Sequence, residues 1–131
     1  MPTPSTPVSE TFAVLKKNQF INLTTFRKTG AAVPTPVWFA EVGGKLYGTT
    51  SPQAGKLKRI RNNPKVTVAP CTVGGKPLGE AIEAVARILP PEEFPLANNA
   101  LKRKYGLQYL FLTFSMKLRG GKQIFWEVAP Y

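Results

Sequence analysis

Three hydroxyl residues and a basic cluster lie close together in this 131-residue chain, within the stretch from Gly48 to Pro64. The hydroxyl residues close a predicted strand and are Thr49, Thr50 and Ser51. The cations follow in a helix predicted near residues 53–62, for which Pro52 suits the first position, and are Lys56, Lys58, Arg59 and Arg61. Free backbone N–H groups at such a junction favour a phosphate, and nearby cations add charge-assisted hydrogen bonds. The stretch therefore predicts an anion site, with a solvated basic face on a surface helix as the alternative.

The composition limits the chemistry that the chain can perform. It has 18 lysines and arginines against seven glutamates, no aspartate and no histidine, and its net charge is +11. This charge indicates an anionic partner, which could be nucleic acid, a lipid surface or a phosphorylated small molecule. A Ser/His/Asp or Cys/His apparatus cannot be built, and no cluster has the spacing of a zinc site. The single cysteine, Cys71, is interpreted as a half-buried strand residue.

A chain of this length is expected to form one domain, here residues 8–131, behind a disordered tail over residues 1–7. Ser9 is predicted to cap a short helix that places Phe12 and Leu15 on one face. The N-terminus lacks the apolar segment of a secretory signal, and no apolar run is long enough to span a membrane. We therefore expect a cytoplasmic protein without a membrane span.

Strands linked by hairpins dominate the predicted secondary structure. Six strands are expected, over residues 19–26, 32–40, 45–50, 65–71, 80–89 and 122–128. Besides the helix near 53–62, a helix is expected over 90–105. Residues 107–118 fit both a helical and an alternating pattern, and we choose the helix. The pattern indicates a mainly β fold, a small antiparallel barrel with inserted helices.

The predicted strand over 32–40 has a property that bears on ligand binding. It contains Pro34 and Pro36, which have no N–H for a sheet ladder, so part of it must lie at an edge or a bulge. A flat cofactor laid against residues 35–40 would find backbone partners for its ring heteroatoms, while the anion site held its phosphate. The two motifs would then form one site.

These motifs carry a resemblance to a known family. The strand TPVWFA, a hairpin, the strand LYGTT and the run GKLKRIRNNPKVTVAPC are similar to the flavin-binding split barrels related to pyridoxamine 5'-phosphate oxidase, over roughly residues 10–90. Together with that run, NLTTFRKTGAAVPTPVWFA resembles most closely the branch that uses a deazaflavin coenzyme (F-420 type) in place of FMN. The resemblance implies a six-stranded antiparallel Greek-key split barrel that forms a homodimer. It also implies cofactors in grooves at the subunit interface, and hydride-transfer chemistry.

The resemblance implies site residues as well. The family's ring-contacting strand corresponds to Thr35, Pro36, Val37, Trp38 and Phe39. Its strand-end hydroxyls correspond to Thr49, Thr50 and Ser51. Its basic pair for the phosphate is half retained, with Gly55 at one position and Lys56 at the other. The remaining charge must then come from Lys58 or Arg61.

The expected activity is hydride transfer between a reduced deazaflavin coenzyme and a small electron-poor substrate, which needs no histidine because the cofactor carries the chemistry. Trp38 and Phe39 would shield the ring or shape the substrate side, and the cations at 102–104 would attract the coenzyme's acidic polyglutamate tail. The related oxidases usually begin and end the ring-contacting strand with arginine and lysine, where this chain has Thr35 and Ala40. This departure counts against pyridoxamine phosphate as the substrate.

Other functions stay open on the sequence. The same site could serve an FMN-dependent oxidase or a flavin reductase. A nucleic-acid-binding small barrel fits the charge, although no repeated basic and aromatic surface pattern supports it. A cofactor carrier or sensor without catalysis is a further alternative. Trp126 is interpreted as a core residue, with packing at the cofactor groove of a partner subunit as the alternative.

Overall fold

The computed structural model describes Phe12, Leu15 and residues 17–131. The tail predicted over residues 1–7 lies outside the described residues, and so does the helix predicted to begin at Ser9, except for Phe12 and Leu15, which are fully buried in the core. The strands are β1 (Phe20–Phe26), β2 (Ala32–Trp38), β3 (Ala40–Val42), β4 (Lys45–Thr50), β5 (Lys65–Cys71), β6 (Ile82–Ile88) and β7 (Ile124–Pro130). The α-helices are α1 (Gly55–Asn62), α2 (Phe94–Tyr105) and α3 (Leu107–Leu118).

The strands form one antiparallel sheet in the order β2-β1-β5-β6-β7-β4-β3. Helix α1 connects β4 to β5, and a 3-10 turn at Pro91–Glu93 followed by α2 and α3 connects β6 to β7. The mainly β, antiparallel fold predicted from the sequence is therefore confirmed. The helix chosen over 107–118 and the strand chosen over 80–89 are confirmed as α3 and β6. Within the described residues, no helix is long and apolar enough to cross a membrane.

The predicted number of six strands is wrong, because the strand expected over 32–40 is broken at Phe39. Before the break, β2 pairs with β1, and Trp38 lies opposite Phe20. After the break, β3 pairs with β4, and Ala40 lies opposite Tyr47. The strands β2 and β3 occupy the two ends of the strand order, so the seven-stranded sheet has to curl until a single residue can join its edges.

The edge position predicted for the proline-containing strand is confirmed, since β2 is the first strand of the sheet. Pro34 lies opposite Thr24, and Pro36 lies opposite Asn22. A proline is tolerated in a strand where its nitrogen faces an open edge, because no ladder hydrogen bond is lost there. The two prolines therefore fit an exposed edge.

The hydroxyl of Tyr105, at the end of α2, holds the backbone at the break. It accepts a 2.9 Å hydrogen bond from the N–H of Phe39, and its own proton can go to the carbonyl of Gln19 at 2.7 Å or of Phe39 at 2.9 Å. Burial raises the pKa of Tyr105 to about 12, so the hydroxyl keeps its proton. The Trp38 ring stacks on the Tyr105 ring with centroids 4.4 Å apart. The bend is therefore fixed by a buried polar contact and an aromatic contact.

The indole of Trp126 fills the core beside Gly48, its partner residue in the ladder between β7 and β4. A Cβ atom at position 48 would lie 2.0 Å from the indole ring, so the ring occupies the space that any other side chain would need. Trp126 is fully buried and packs with Phe39 and Val128 in one apolar cluster. The interpretation of Trp126 as a core residue of its own chain is confirmed.

A buried carboxylate ties three neighbouring strands together. Glu127 on β7 accepts hydrogen bonds from Arg87 on β6, the shortest at 2.9 Å, and from the Tyr47 hydroxyl on β4 at 3.0 Å. Burial acts to raise the pKa of Glu127, but the hydrogen bonds from Arg87 and Tyr47 outweigh it, so the pKa lies below its ordinary value. The charged carboxylate is therefore the form that the folded chain stabilises.

The Tyr105→Phe variant tests the contact at the strand break. It keeps the stacked ring but leaves the buried N–H of Phe39 without its partner, so we expect the free energy of unfolding to fall by about 1–3 kcal/mol. Urea denaturation measures this change. Tyr131→Phe, at an exposed tyrosine, is the matched control and should change stability by less than about 0.5 kcal/mol. Equal effects in the two variants would contradict the assigned role.

The pH dependence of stability tests the Glu127 cluster. A carboxylate with a lowered pKa in the folded chain contributes stability above its unfolded pKa and loses it as the pH falls through the folded pKa. Wild type should therefore lose more stability between about pH 7 and about pH 3 than Glu127→Gln, which starts about 2 kcal/mol lower. Thermal unfolding across this range checks it, with Glu80→Gln at an exposed site as the control. Parallel curves for wild type and Glu127→Gln would refute it.

Candidate functional site

The junction between β4 and α1 leaves the start of the helix open to an anion. The N–H of Ala54 bonds the carbonyl of Ser51 at 3.1 Å, and the helix begins at Gly55. The predicted start at Pro52 is wrong, because residues 52–53 form a turn before the helix. Among the described residues no side chain caps this helix, and its first turn holds no acidic residue. Uncapped N–H groups and the positive end of the helix dipole both attract negative charge.

Two cations of α1 lie on the flank that faces β1. The Nε of Arg59 donates to the hydroxyl of Thr25 at 2.6 Å, and its Nη1 lies 2.9 Å from where a Cβ of Gly55 would be. The guanidinium therefore covers the first residue of the helix. Burial, followed by the charge of Arg59, lowers the pKa of Lys56. In the part of the chain that the structure describes, no carboxylate forms an ion pair with either cation.

The other two cations of α1 lie on the opposite flank. Lys58 and Arg61 are exposed, and Arg61 lines a cavity of about 350 Å³ with Ala86 and Ile88 of β6. The buried face formed by Leu57 and Ile60 separates the helix flanks. The sequence predicted that Lys56 acts with Lys58 or Arg61, whereas the structure brings Lys56 together with Arg59.

Arg59 belongs to the basic cluster noted in the sequence, but the phosphate ligands predicted there do not include it. The signal that identifies it is its spacing of four residues from Gly55. Side chains of a helix lean toward its N-terminus, so a residue one turn into the helix covers the first turn. This signal becomes usable only when the start of the helix is known.

The residues of β2 divide between two faces of the sheet. Thr35 and Val37 lie opposite Leu23 and Ile21, whose side chains are buried, so they face the interior. Pro36 is exposed and Trp38 is half-buried on the other face. Among the described strands, only β1 pairs with β2, so the second edge of β2 has no ladder partner there.

Phe39, unlike Pro36 and Trp38, has no accessible side-chain surface. Its side chain is fully buried in the core, and the Nζ of Lys104 lies 3.4 Å from its ring centroid. Its N–H is bonded to Tyr105. Within its own chain, Phe39 therefore supports the bend, and no part of its side chain is exposed to a ligand.

The hydroxyls at the end of β4 differ in their surroundings. Thr49 donates to the carbonyl of Ile124 at 3.1 Å and accepts from Gln123 at 3.1 Å, so its hydroxyl fixes β4 to the segment before β7. Thr50 is half-buried, and Ser51 is exposed. Ser51 lines an open groove of about 520 Å³ between the 51–53 turn and residues 116–122. Of the three hydroxyls, Ser51 is the most accessible.

The strands β2 and β4 approach each other beside the break. Extending the ladder of β3 with β4 by two residues would place Trp38 opposite Thr49, but β2 turns away there to pair with β1. Beside the break, the unpaired edge of β2 and the end of β4 therefore diverge, and the space between them is called the cleft here. The end of β4 leads directly to the turn before α1. Residues 35–38 and 49–51 border this space, and the Lys56–Arg59 pair follows 49–51 along the chain, at the start of α1.

The cations expected to attract an acidic tail lie on a different element. Lys102 and Arg103 are exposed at the end of α2, which packs on β3, β4 and β7. Lys104 is half-buried and donates to the carbonyl of Asn18 at 2.8 Å, and burial lowers its pKa to about 8. Lys104 is therefore engaged within the chain. The described residues contain no group of His, Cys or Glu side chains that could hold a metal ion.

Solved structures confirm the fold. The chain is similar to HutZ, a heme storage protein from Vibrio cholerae, with a TM-score of 0.68 and 13% identity over 93% of this chain and 88% of that one. It is similar to the conserved hypothetical protein Rv2991 from Mycobacterium tuberculosis, with a TM-score of 0.69 and 16% identity over 95% and 81% of the two chains. It is also similar to a FAD-binding protein from Mesorhizobium loti, with a TM-score of 0.64 and 17% identity over 95% and 88%.

The family model described as pyridoxamine 5'-phosphate oxidase matches residues 8–127. No curated protein matches the chain. The matched range contains β2, the end of β4, all of α1 and most of β7. It therefore spans most of the chain, and the chain belongs to the pyridoxamine 5'-phosphate oxidase family.

Proposed function

We propose that this protein is an oxidoreductase that binds a phosphate-bearing deazaflavin coenzyme in the cleft between β2 and β4 and transfers a hydride between the reduced coenzyme and a small electron-poor substrate. The observation that carries the proposal is the Lys56–Arg59 pair at the uncapped start of α1. Two cations placed together at the positive end of a helix dipole repel each other and the dipole. A bound phosphate removes both costs.

The phosphate is held by charge and by the helix backbone. Lys56 and Arg59 supply charge-assisted hydrogen bonds, and the free N–H groups of the first turn supply further donors. The exposed hydroxyl of Ser51 and the half-buried hydroxyl of Thr50 lie at the entry to the same turn. Lys58 and Arg61, on the other flank, add long-range attraction without contact. These donors suit a phosphate ester better than a carboxylate, because a phosphate has more oxygens to accept them.

The ring lies along the open edge of β2. In an antiparallel pair, alternate residues turn both backbone groups away from the partner strand, and proline is tolerated at those positions. The carbonyls of Pro34 and Pro36 then face the cleft, followed by the N–H of Trp38. A flavin or deazaflavin ring has an imide N–H and carbonyl oxygens, which match this arrangement of acceptors and donor. Trp38 shields one side of the ring, and Thr35 and Val37 fix the strand from the interior.

When bound, the coenzyme supplies the hydride chemistry, and the protein supplies position and electrostatics. The backbone of β2 orients the ring, and the Tyr105 contact at Phe39 holds that strand end in place. Reduction of the substrate consumes one proton besides the hydride, and in this proposal that proton comes from solvent, so the chemistry does not require a histidine. We also propose that two copies associate, with the partner subunit covering the open side of the cleft.

The second candidate is an FMN-dependent oxidase or flavin reductase that uses the same residues. The phosphate site does not distinguish the coenzymes, since both carry a phosphate on a ribityl chain. Heme binding, for which two of the structural neighbours are named, has less support. The chain has no histidine, and its one cysteine is buried in β5, so neither histidine nor an accessible cysteine is available as an axial ligand of heme.

Removing either cation of the Lys56–Arg59 pair should weaken coenzyme binding. Charged hydrogen bonds contribute about 1.5–3 kcal/mol each, so Lys56→Ala and Arg59→Ala should raise the Kd by roughly ten- to a hundredfold. Fluorescence titration of each apoprotein measures the Kd. Lys76→Ala, which removes an exposed cation from the β5–β6 connection, is the matched control.

Two controls show whether a change in Kd reflects direct contact of the Lys56–Arg59 pair with the coenzyme. Arg61→Ala tests the opposite flank, and we expect less than about a threefold change in Kd because only long-range attraction is lost. Thermal unfolding of Arg59→Ala separates lost binding from lost structure, since Arg59 also bonds Thr25. Unchanged affinity in both Lys56→Ala and Arg59→Ala would remove the pair from the site.

The choice of coenzyme is tested by titrating wild type with FMN and, separately, with the deazaflavin coenzyme, at low and at high salt. We expect tighter binding of the deazaflavin that persists at high salt, since backbone contacts to the ring are not screened. Preference for FMN would favour the oxidase or flavin reductase. Binding of neither, together with salt-sensitive binding of single-stranded nucleic acid, would favour the small-barrel alternative.

A further inference from the structure

Helix α3 presents an apolar stripe to solvent. One face carries Tyr109, which is fully buried and bonded to Asn98 and Gln123. The opposite face is exposed, with 82% of Leu107 and 77% of Phe111 accessible. Its exposed residues, here called the α3 stripe, are Leu107, Leu110, Phe111, Phe114 and Leu118. Their spacing of three or four residues places them on one side of the helix, along its whole length.

The α3 stripe is unusual for a free surface. Single exposed apolar residues are common on proteins, but a contiguous patch of large ones marks an interaction site. Leucine and phenylalanine contribute the most when they leave water, so leaving five of them exposed on one face is costly. The stripe therefore needs a partner that removes it from water.

The charged residues that flank the stripe along the chain are all basic. No acidic residue occurs between Glu93 and Glu127. The cations in this interval are Lys102, Arg103, Lys104, Lys117, Arg119 and Lys122. The described part of the chain shows no ion pair for any of them. Lys104 is engaged within the chain, but the other five are exposed. These five lie before the start and around the end of α3, so positive charge flanks both ends of the stripe.

We propose that the α3 stripe docks on the surface of a lipid bilayer that carries anionic headgroups. The helix lies parallel to the surface, its leucines and phenylalanines enter the boundary between headgroups and acyl chains, and the flanking cations contact lipid phosphates. A helix of 12 residues is about 18 Å long, which suits a surface helix and is too short to span a bilayer. Docking of this kind goes beyond the proposed function and does not depend on it.

Charge favours a lipid surface over a second copy seated on the same face. Both ends of α3 are basic, with Lys102 and Arg103 before its start and Lys117 and Arg119 at its end. If α3 packed against α3 of another chain, cations of one chain would therefore face cations of the other in a parallel and in an antiparallel arrangement, and the segment between Glu93 and Glu127 holds no carboxylate to compensate them. An anionic bilayer compensates this charge and covers the apolar residues at the same time. The apolar and the basic parts of the surface therefore indicate the same partner.

Vesicle flotation tests the proposal with the full chain. The probes are vesicles of phosphatidylcholine alone and of phosphatidylcholine with phosphatidylglycerol. We expect wild type to float with the anionic vesicles and to remain largely unbound with the neutral ones. Leu107→Gln/Phe111→Gln should reduce binding by about tenfold or more, because glutamine keeps the helix but removes apolar contact.

The control variant is Val73→Gln/Leu78→Gln, which removes two similarly exposed apolar residues from the β5–β6 connection and should bind vesicles like wild type. Coenzyme titration and thermal unfolding of both variants verify that the fold is intact. No flotation of wild type with anionic vesicles, or equal loss in both variants, would overturn the proposal. A dimer in light scattering that Leu107→Gln/Phe111→Gln dissociates, without vesicle binding, would assign the stripe to a second copy.

Discussion

At Phe39 the chain leaves β2 and enters β3, and the hydroxyl of Tyr105 provides hydrogen-bond partners for the backbone N–H and carbonyl of Phe39. In the interior of a strand, the backbone N–H and carbonyl of this residue would bond to neighbouring strands. At a bend these buried groups need other hydrogen-bond partners. Tyr105 supplies a donor and an acceptor from α2, 66 residues away in the chain. Because β2 and β3 are set by this bend, the cleft between β2 and β4 depends on it as well.

At the start of α1, by contrast, the folded chain keeps an unfavourable interaction between positive charges. Lys56 and Arg59 lie together where neither the helix dipole nor a carboxylate favours them. Chains generally place acidic residues at a helix start, and this helix has none. In the proposed function, the stability lost at this point in the free protein is recovered when the coenzyme phosphate binds. The α3 stripe is a similar case. There the unfavourable feature of the free protein is exposed apolar area instead of uncompensated charge.

Local signals in the amino-acid sequence predict much of the sheet. The bounds predicted for β4 and β5 agree with the structure, because glycine pairs and Asn63–Pro64 interrupt the chain at their ends. The break at Phe39 could not be found in the same way, since it depends on a contact with Tyr105 that no local pattern encodes. The position of Arg59 over the first turn of α1 was not predicted, because Pro52 indicated a helix start three residues too early. A misplaced helix start matters more for a site than for a fold, because it changes which cation is expected to lie over the first turn.

The position of β7 in the sheet has a consequence for synthesis of the protein. It lies between β6 and β4, and its Val128 pairs with Leu46 on one side and with Ala86 on the other. During translation, the β3–β4 hairpin is made early but has no ladder to the rest of the sheet until β7 leaves the ribosome. Until then the space occupied by Trp126 is open, and apolar residues of the nascent chain remain accessible to chaperones and proteases. The amount of protein that a cell accumulates should therefore depend on how quickly the segment after α3 is delivered.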